Sequence, residues 1–186
     1  ARTLIAGEGK ISLVAKQARK STKRFGASLD LFDCGRVEAE PGRGSLWVLK
    51  SLIHESAFRT LRSSLEKMSA ASIACESFDH LLPENIPDQG NAFAALHRIL
   101  TLIDTATRPS EIVGATFDGL LGLLADTGFA DPSEFLPRSS HSLERVLKRI
   151  EESSDRALRS ATSLPLLIRA LKAAHEQSSA SGETED

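Results

Sequence analysis

Six cations stand between Gly9 and Asp30, at Lys10, Lys16, Arg19, Lys20, Lys23 and Arg24, and no acidic residue falls among them. Cations gathered on a loop bind phosphate by releasing its counterions, whatever the base sequence. Phe25 closes the run beside Gly26 and offers a face on which an unstacked base can lie. Phe32 and Trp47 are further aromatic candidates for that role, with burial in the core of a sheet as their alternative. For the basic run itself the alternative is an ordinary solvated loop.

Other chemistry finds little support. Gly7-Glu8-Gly9-Lys10 lacks the long glycine-bounded turn of a phosphate loop, and Ile11 stands where magnesium would need a Ser or Thr. A hairpin turn is the simpler reading. His54-Glu55 opens like a helical zinc-protease motif, but Phe58 occupies the second ligand position. His80, His97, His141 and His175 have no cysteine or acid at ligand spacing, and no serine lies in a Gly-x-Ser-x-Gly turn. Cys34 and Cys75 sit 41 positions apart, outside any redox or metal spacing, and read as reduced, partly buried thiols. No catalytic set, metal site or cofactor site stands out, so the chain reads as a binding protein rather than an enzyme.

The elements that must position the basic run follow from the apolar pattern. Thr3-Leu4-Ile5 ends a strand that Gly7-Glu8-Gly9 turns into a second strand over 10–16. A third is expected over 29–38, a turn at Pro41-Gly42-Arg43-Gly44 and a short fourth strand at Leu46-Trp47-Val48-Leu49. After Lys50 the spacing becomes helical. Leu52, Ile53, Ala57, Phe58, Leu61 and Leu65 predict a helix from Ser51 to Met68, followed by others over 69–82, from Asn91, from Pro109, across 143–150 and over 165–175. Ile112 to Leu124 is apolar enough to be a buried central helix, and Asp131-Pro132-Ser133-Glu134 has the layout of a helix start. Three parts result: a β domain over 1–50, an all-helical domain over 51–177, and a small, polar, acidic tail over 178–186 expected to be disordered.

With 186 residues, 41% of them hydrophobic and 26% charged, the chain is a globular one with no apolar run of membrane-spanning length. Residues 1–50 hold ten Lys and Arg against five acids, whereas the remainder holds thirteen against twenty. That asymmetry assigns polyanion contact to the first part and packing or protein contact to the second.

Several stretches carry a family resemblance. Gly9-Lys10-Ile11-Ser12-Leu13-Val14-Ala15-Lys16, then Ala18-Arg19-Lys20-Ser21, Arg24-Phe25-Gly26 and Leu29-Asp30-Leu31-Phe32 resemble the N-terminal signature of the bacterial RecO family. Phe117 to Phe129, FDGLLGLLADTGF, is similar to a helix end of the same family. The resemblance implies an α+β protein: a small N-terminal OB-fold-like barrel followed by a helical domain. It implies a cytoplasmic, nucleoid-associated recombination mediator in DNA repair. Such a protein binds single- and double-stranded DNA, anneals complementary strands, and works with RecR and the tail of the single-strand binding protein to load the recombinase. The family's DNA-binding cations map onto Lys10, Lys16, Arg19, Lys20, Lys23 and Arg24.

Three departures accompany the resemblance. Members usually carry about twenty residues before the point where this sequence starts, including a first barrel strand whose lack would leave an open edge. Gln17 replaces a common glycine, and Asp131 to His141 lacks the four zinc cysteines many members have there, so zinc is not expected. A different class of function is a helical adaptor for an acidic peptide tail, seated between apolar faces over 91–125, with Arg98 and Arg108 as its cations.

Overall fold

Along residues 9–14 burial alternates: Gly9, Ile11 and Leu13 are buried, while Lys10, Ser12 and Val14 face the other way. That period of two belongs to a strand with one packed face. The computed structural model describes residues 2–15, 30–55, 58–87, 91–136 and 140–182. Among them, four strands, β1 (Arg2–Ile5), β2 (Gly9–Val14), β3 (Cys34–Pro41) and β4 (Leu46–Glu55), form one open sheet in the order β1-β2-β4-β3. β1 and β2 pair antiparallel around the turn predicted at Gly7-Glu8-Gly9, where both glycines take positive φ. β3 and β4 form a second antiparallel hairpin, and the two hairpins join where Ser12–Val14 of β2 runs parallel to Leu46–Val48 of β4. The result is an α+β protein with an N-terminal sheet.

Ile11, Leu13 and Leu49 form the core of the sheet, with Ile5, Val37, Ala39, Trp47 and Leu52 packed against them. Trp47 is thus committed to packing, and Phe32 is buried as well.

Two boundaries differ from the pattern-based expectation. The third strand begins at Cys34, not Leu29, because residues 30–33 form a tight turn. The Asp30 amide donates to the Asp33 carboxylate at 2.7 Å, and Phe32 takes a φ of 66°. The helix expected from Ser51 is strand as far as Glu55, and among the described residues that follow, the α-helix begins at Leu65. Leu52 and Ile53 suit either period; pairing with Val37 and Arg36 of β3 decides for sheet, Leu52 facing the core and Ile53 staying exposed.

The described helices are α1 (Leu65–Leu81), α2 (Ala92–Thr105), α3 (Pro109–Asp126), α4 (Ser140–Ser154) and α5 (Leu164–Gly182), with 3-10 turns at Pro132–Phe135 and Arg159–Ser163. The capped start at Asp131 is real, its carboxylate accepting from the Ser133 amide at 2.8 Å, but that turn lasts four residues. α5 continues through Gly182, past Ser178 where the tail was expected to begin, and residues 183–186 lie outside the described residues.

The chain divides into two compact units, Ala1–Arg59 with Leu82–Ala94, and Thr60–Leu81 with Ala95–Asp186. In the second, α3 packs against α1, α4 and α5 and buries Ile112, Thr116, Phe117, Leu120, Leu121, Leu123 and Leu124. The buried Thr116 and Ser77 hydroxyls return their hydrogen bonds to the carbonyls of Ile112 and Ile73 at 2.7 and 2.8 Å, so neither polar group is stranded. Across from α3, buried Ile99 of α2 fills the space that a side chain at Gly119 would need: a Cβ there would overlap its Cγ1 and Cδ1.

Ile99 is β-branched and enclosed, so it cannot swing clear. Gly119→Ala should cost about 1–3 kcal/mol in urea unfolding despite the higher helix propensity of alanine. Combining it with Ile99→Ala should recover part of the loss caused by overlap. A stabilised single variant would contradict this packing.

Candidate nucleic-acid interface

Strand register sorts the sheet residues into two faces. Opposite the core, β2 presents Lys10, Ser12 and Val14; their partners Leu4 and Arg2 on β1 and Leu46 and Val48 on β4 lie on the same face. From Val48 the face continues to Glu40 of β3, and further along to Glu38 paired with Ser51 and Arg36 paired with Ile53. Val14, Leu46 and Ile53 are exposed there. The face therefore carries Arg2 and Lys10 on the β1–β2 side, solvent-facing apolar groups in the middle, and Glu40 and Glu38 followed by Arg36 along β3.

Lys10 is the member of the expected cation set that falls within the described residues; Lys16, Arg19, Lys20, Lys23, Arg24 and Phe25 lie outside them. Its backbone is tied from an unexpected quarter. β4 begins opposite Ser12, which leaves the Lys10 carbonyl beyond its reach, and the Asn85 amide donates to that carbonyl at 2.7 Å while Glu84 bridges alongside. Asn85 adopts a φ of 60°, a conformation asparagine tolerates better than most residues. Nothing in the local sequence pairs residue 85 with residue 10. The acidic residues of β3 share the face with Lys10, and the alternation Val37-Glu38-Ala39-Glu40 is their signal in the sequence.

The remaining reactive groups stay apart. Burial pushes the Cys75 thiol up to about 12. Burial, then the Glu55 carboxylate, raise Cys34 against a hydrogen bond from Gly35, so both thiols are held protonated and poorly nucleophilic. His54 lies 3.8 Å from Asp33, and exposed His141 lies 3.4 Å from Glu144 within its own helix. His80 is buried beside Glu76, at 3.7 Å, and His97 is exposed on α2. Among the described residues no three His, Cys, Asp or Glu side chains converge to hold a metal ion.

Comparison with known proteins bears on what such a face contacts. The DNA repair protein RecO of Symbiobacterium thermophilum is 43% identical over 77 residues, 41% of this chain and 30% of that protein. The RecO of Cutibacterium acnes is 32% identical over 126 residues, 66% of this chain and 50% of that one. The RecO of Desulfatibacillum aliphaticivorans is 31% identical over 139 residues, 74% and 53% respectively. The chain is a relative of the RecO proteins. It spans at most about half the length of the RecO relatives it matches. No protein-family model and no solved structure matches it.

Two arginines of α4 hold the segment that joins it to α3. Arg149 donates to the Phe129 carbonyl at 3.2 Å and to the Glu134 carboxylate at 3.1 Å. Arg145 donates to the Glu134 carbonyl at 2.6 Å and lies over the Phe135 ring at 5.3 Å. Packing is thus supplemented by charged hydrogen bonds at this joint.

Of the two cations considered for an acidic peptide, Arg98 is exposed on α2, whereas Arg108 is committed to the start of α3. Its Nε and Nη2 donate to Glu111 at 2.9 and 2.7 Å, and the other Glu111 oxygen accepts the Thr107 and Arg108 amides at 2.8 and 3.2 Å. The Thr107 amide, then the Arg108 guanidinium, hold the Glu111 carboxyl down at about 2. A carboxyl depressed on folding stabilises the fold fully above its ordinary value near 4.5 and loses that contribution as pH falls toward about 2. The urea midpoint of Glu111→Gln should therefore fall less steeply than that of the unaltered protein between those two pH values. Superimposable acid limbs would show that Glu111 does not cap α3 in solution.

Proposed function

We propose that this chain is the DNA-contacting part of a RecO-type recombination mediator in DNA repair. It binds single- and double-stranded DNA, anneals complementary strands, and acts with RecR and the tail of single-strand binding protein to load the recombinase. The observation that carries the reading is the run of six cations from Lys10 to Arg24, undiluted by acid and entered directly from β2. Kinship with proteins named DNA repair protein RecO supports it. Fold supports it too. An OB-fold is a five-stranded Greek-key barrel that binds oligonucleotides, and the parallel pairing of non-consecutive β2 and β4 between two antiparallel hairpins suits four strands of one.

In this reading the sheet unit grips the sugar-phosphate chain and the helical unit serves as scaffold, in keeping with the excess of cations over residues 1–50 and of acids beyond. The role is contact rather than chemistry, exercised at the nucleoid in the cytoplasm. Among the described residues no helix is long and apolar enough to cross a membrane.

Titration of a labelled single strand against salt tests the proposal. Log affinity should fall with log salt at roughly −0.7 per phosphate neutralised. Changing Lys16, Arg19, Lys20, Lys23 and Arg24 together to Ala should remove most of that slope. A slope indifferent to these five changes would remove the basic run from the interface.

A further inference from the structure

We propose that Lys50 is a phosphate-binding cation held in reserve, and that Glu40 is the internal counterion that withholds it. This rests on the reading of the sheet as a DNA contact and adds a control element to that surface. Register places the pair. Glu38 opposes Ser51 and Ala39 opposes Leu49, so Lys50 is the extra residue of a β-bulge, where two residues of one strand face one of its neighbour. A bulge swings side chains out of the regular alternation, and here it brings the Lys50 ammonium into an ion pair with Glu40 on the adjacent strand. Ser51, next along the bulge, donates to the Glu38 carboxylate at 3.0 Å. Glu40 lies opposite Val48, which is itself opposite Val14 of β2, so the pair belongs to the face that carries Lys10.

Counterion release explains what the pair does. A lysine gains affinity for DNA because phosphate gives up a condensed cation to it. A lysine already neutralised by a neighbouring carboxylate offers no net charge, and a phosphate approaching it meets Glu40 and Glu38 as well. A strand on this face is therefore favoured on the Lys10 side over the Glu38–Glu40 stretch of β3. Both partners remain about half exposed, at 42% and 54% of their side-chain surface. Exposed pairs of this kind are weak, so the restraint is reversible: neutralising Glu40 by substitution or by a bound cation lifts its hold on Lys50.

The test uses the full chain and a labelled single strand across a salt series, with far-UV circular dichroism to confirm folding. Glu40→Gln should bind more tightly and steepen the slope by about 0.7, its advantage shrinking about threefold between about 50 and 200 mM salt. Lys50→Ala alone should leave the slope unchanged, and Glu40→Gln with Lys50→Ala should return to the original slope. Glu38→Gln removes an equal charge that pairs with no cation among the described residues, and should leave the slope where it was. An unchanged slope in Glu40→Gln, a gain that survives loss of Lys50, or an equal steepening in Glu38→Gln would each overturn the assignment. Absence of salt-dependent binding in the unaltered protein would instead overturn the DNA-contact reading itself.

Discussion

Three parallel residue pairs, Ser12 to Val14 against Leu46 to Val48, hold the sheet unit together. Each flanking hairpin is antiparallel and local, and a lone two-stranded hairpin is marginal in water. Joined, they bring Ile11 and Leu13 of one beside Trp47 and Leu49 of the other and create an apolar core that neither has alone. The same pairing aligns the opposite face, setting Lys10 and Ser12 in line with Leu46 and carrying it through Val48 to Glu40. Core and surface are thus two consequences of one short contact.

Because the strands forming that contact are not consecutive, β2 must be followed by a long excursion before β4 returns beside it. The basic run occupies the first part of that excursion and the β3–β4 hairpin completes it. A parallel pair always requires such a crossover. Here the crossover also places the densest positive charge in the chain directly after a packed strand. Glu84 and Asn85 then close the flank of β2 that β4 leaves open, satisfying a carbonyl that would otherwise need water.

The helical unit meets its own constraints differently. α3 is apolar on most of its surface and is stable only when surrounded, which α1, α4 and α5 accomplish. Its ends are held by charge: Glu111 with Arg108 at the start, and beyond the finish Arg145 and Arg149, which pin the turn before α4. Lys67 of α1 donates to the Asp104 carbonyl at 2.6 Å near the end of α2, the same use of a cation at carbonyls left over by a helix.

Much of this was written in the local sequence. Period-two burial along β2, the Gly7-Glu8-Gly9 turn, the apolar mass of α3 and the capped start at Asp131 are short-range properties, set by side chains within a few positions of each other. So is the basic run, which needs only counting. Folding decided the rest, because it depends on partners far away in the chain. Leu52 and Ile53 became strand only because β3 was there to pair with them, and the bulge that sets Lys50 against Glu40 exists only in the register between two strands. Residue 85 completes β2 through a backbone bond seventy-five positions back. A side-chain pattern can state which face of an element is apolar; which element meets it is settled only when distant backbone groups find one another.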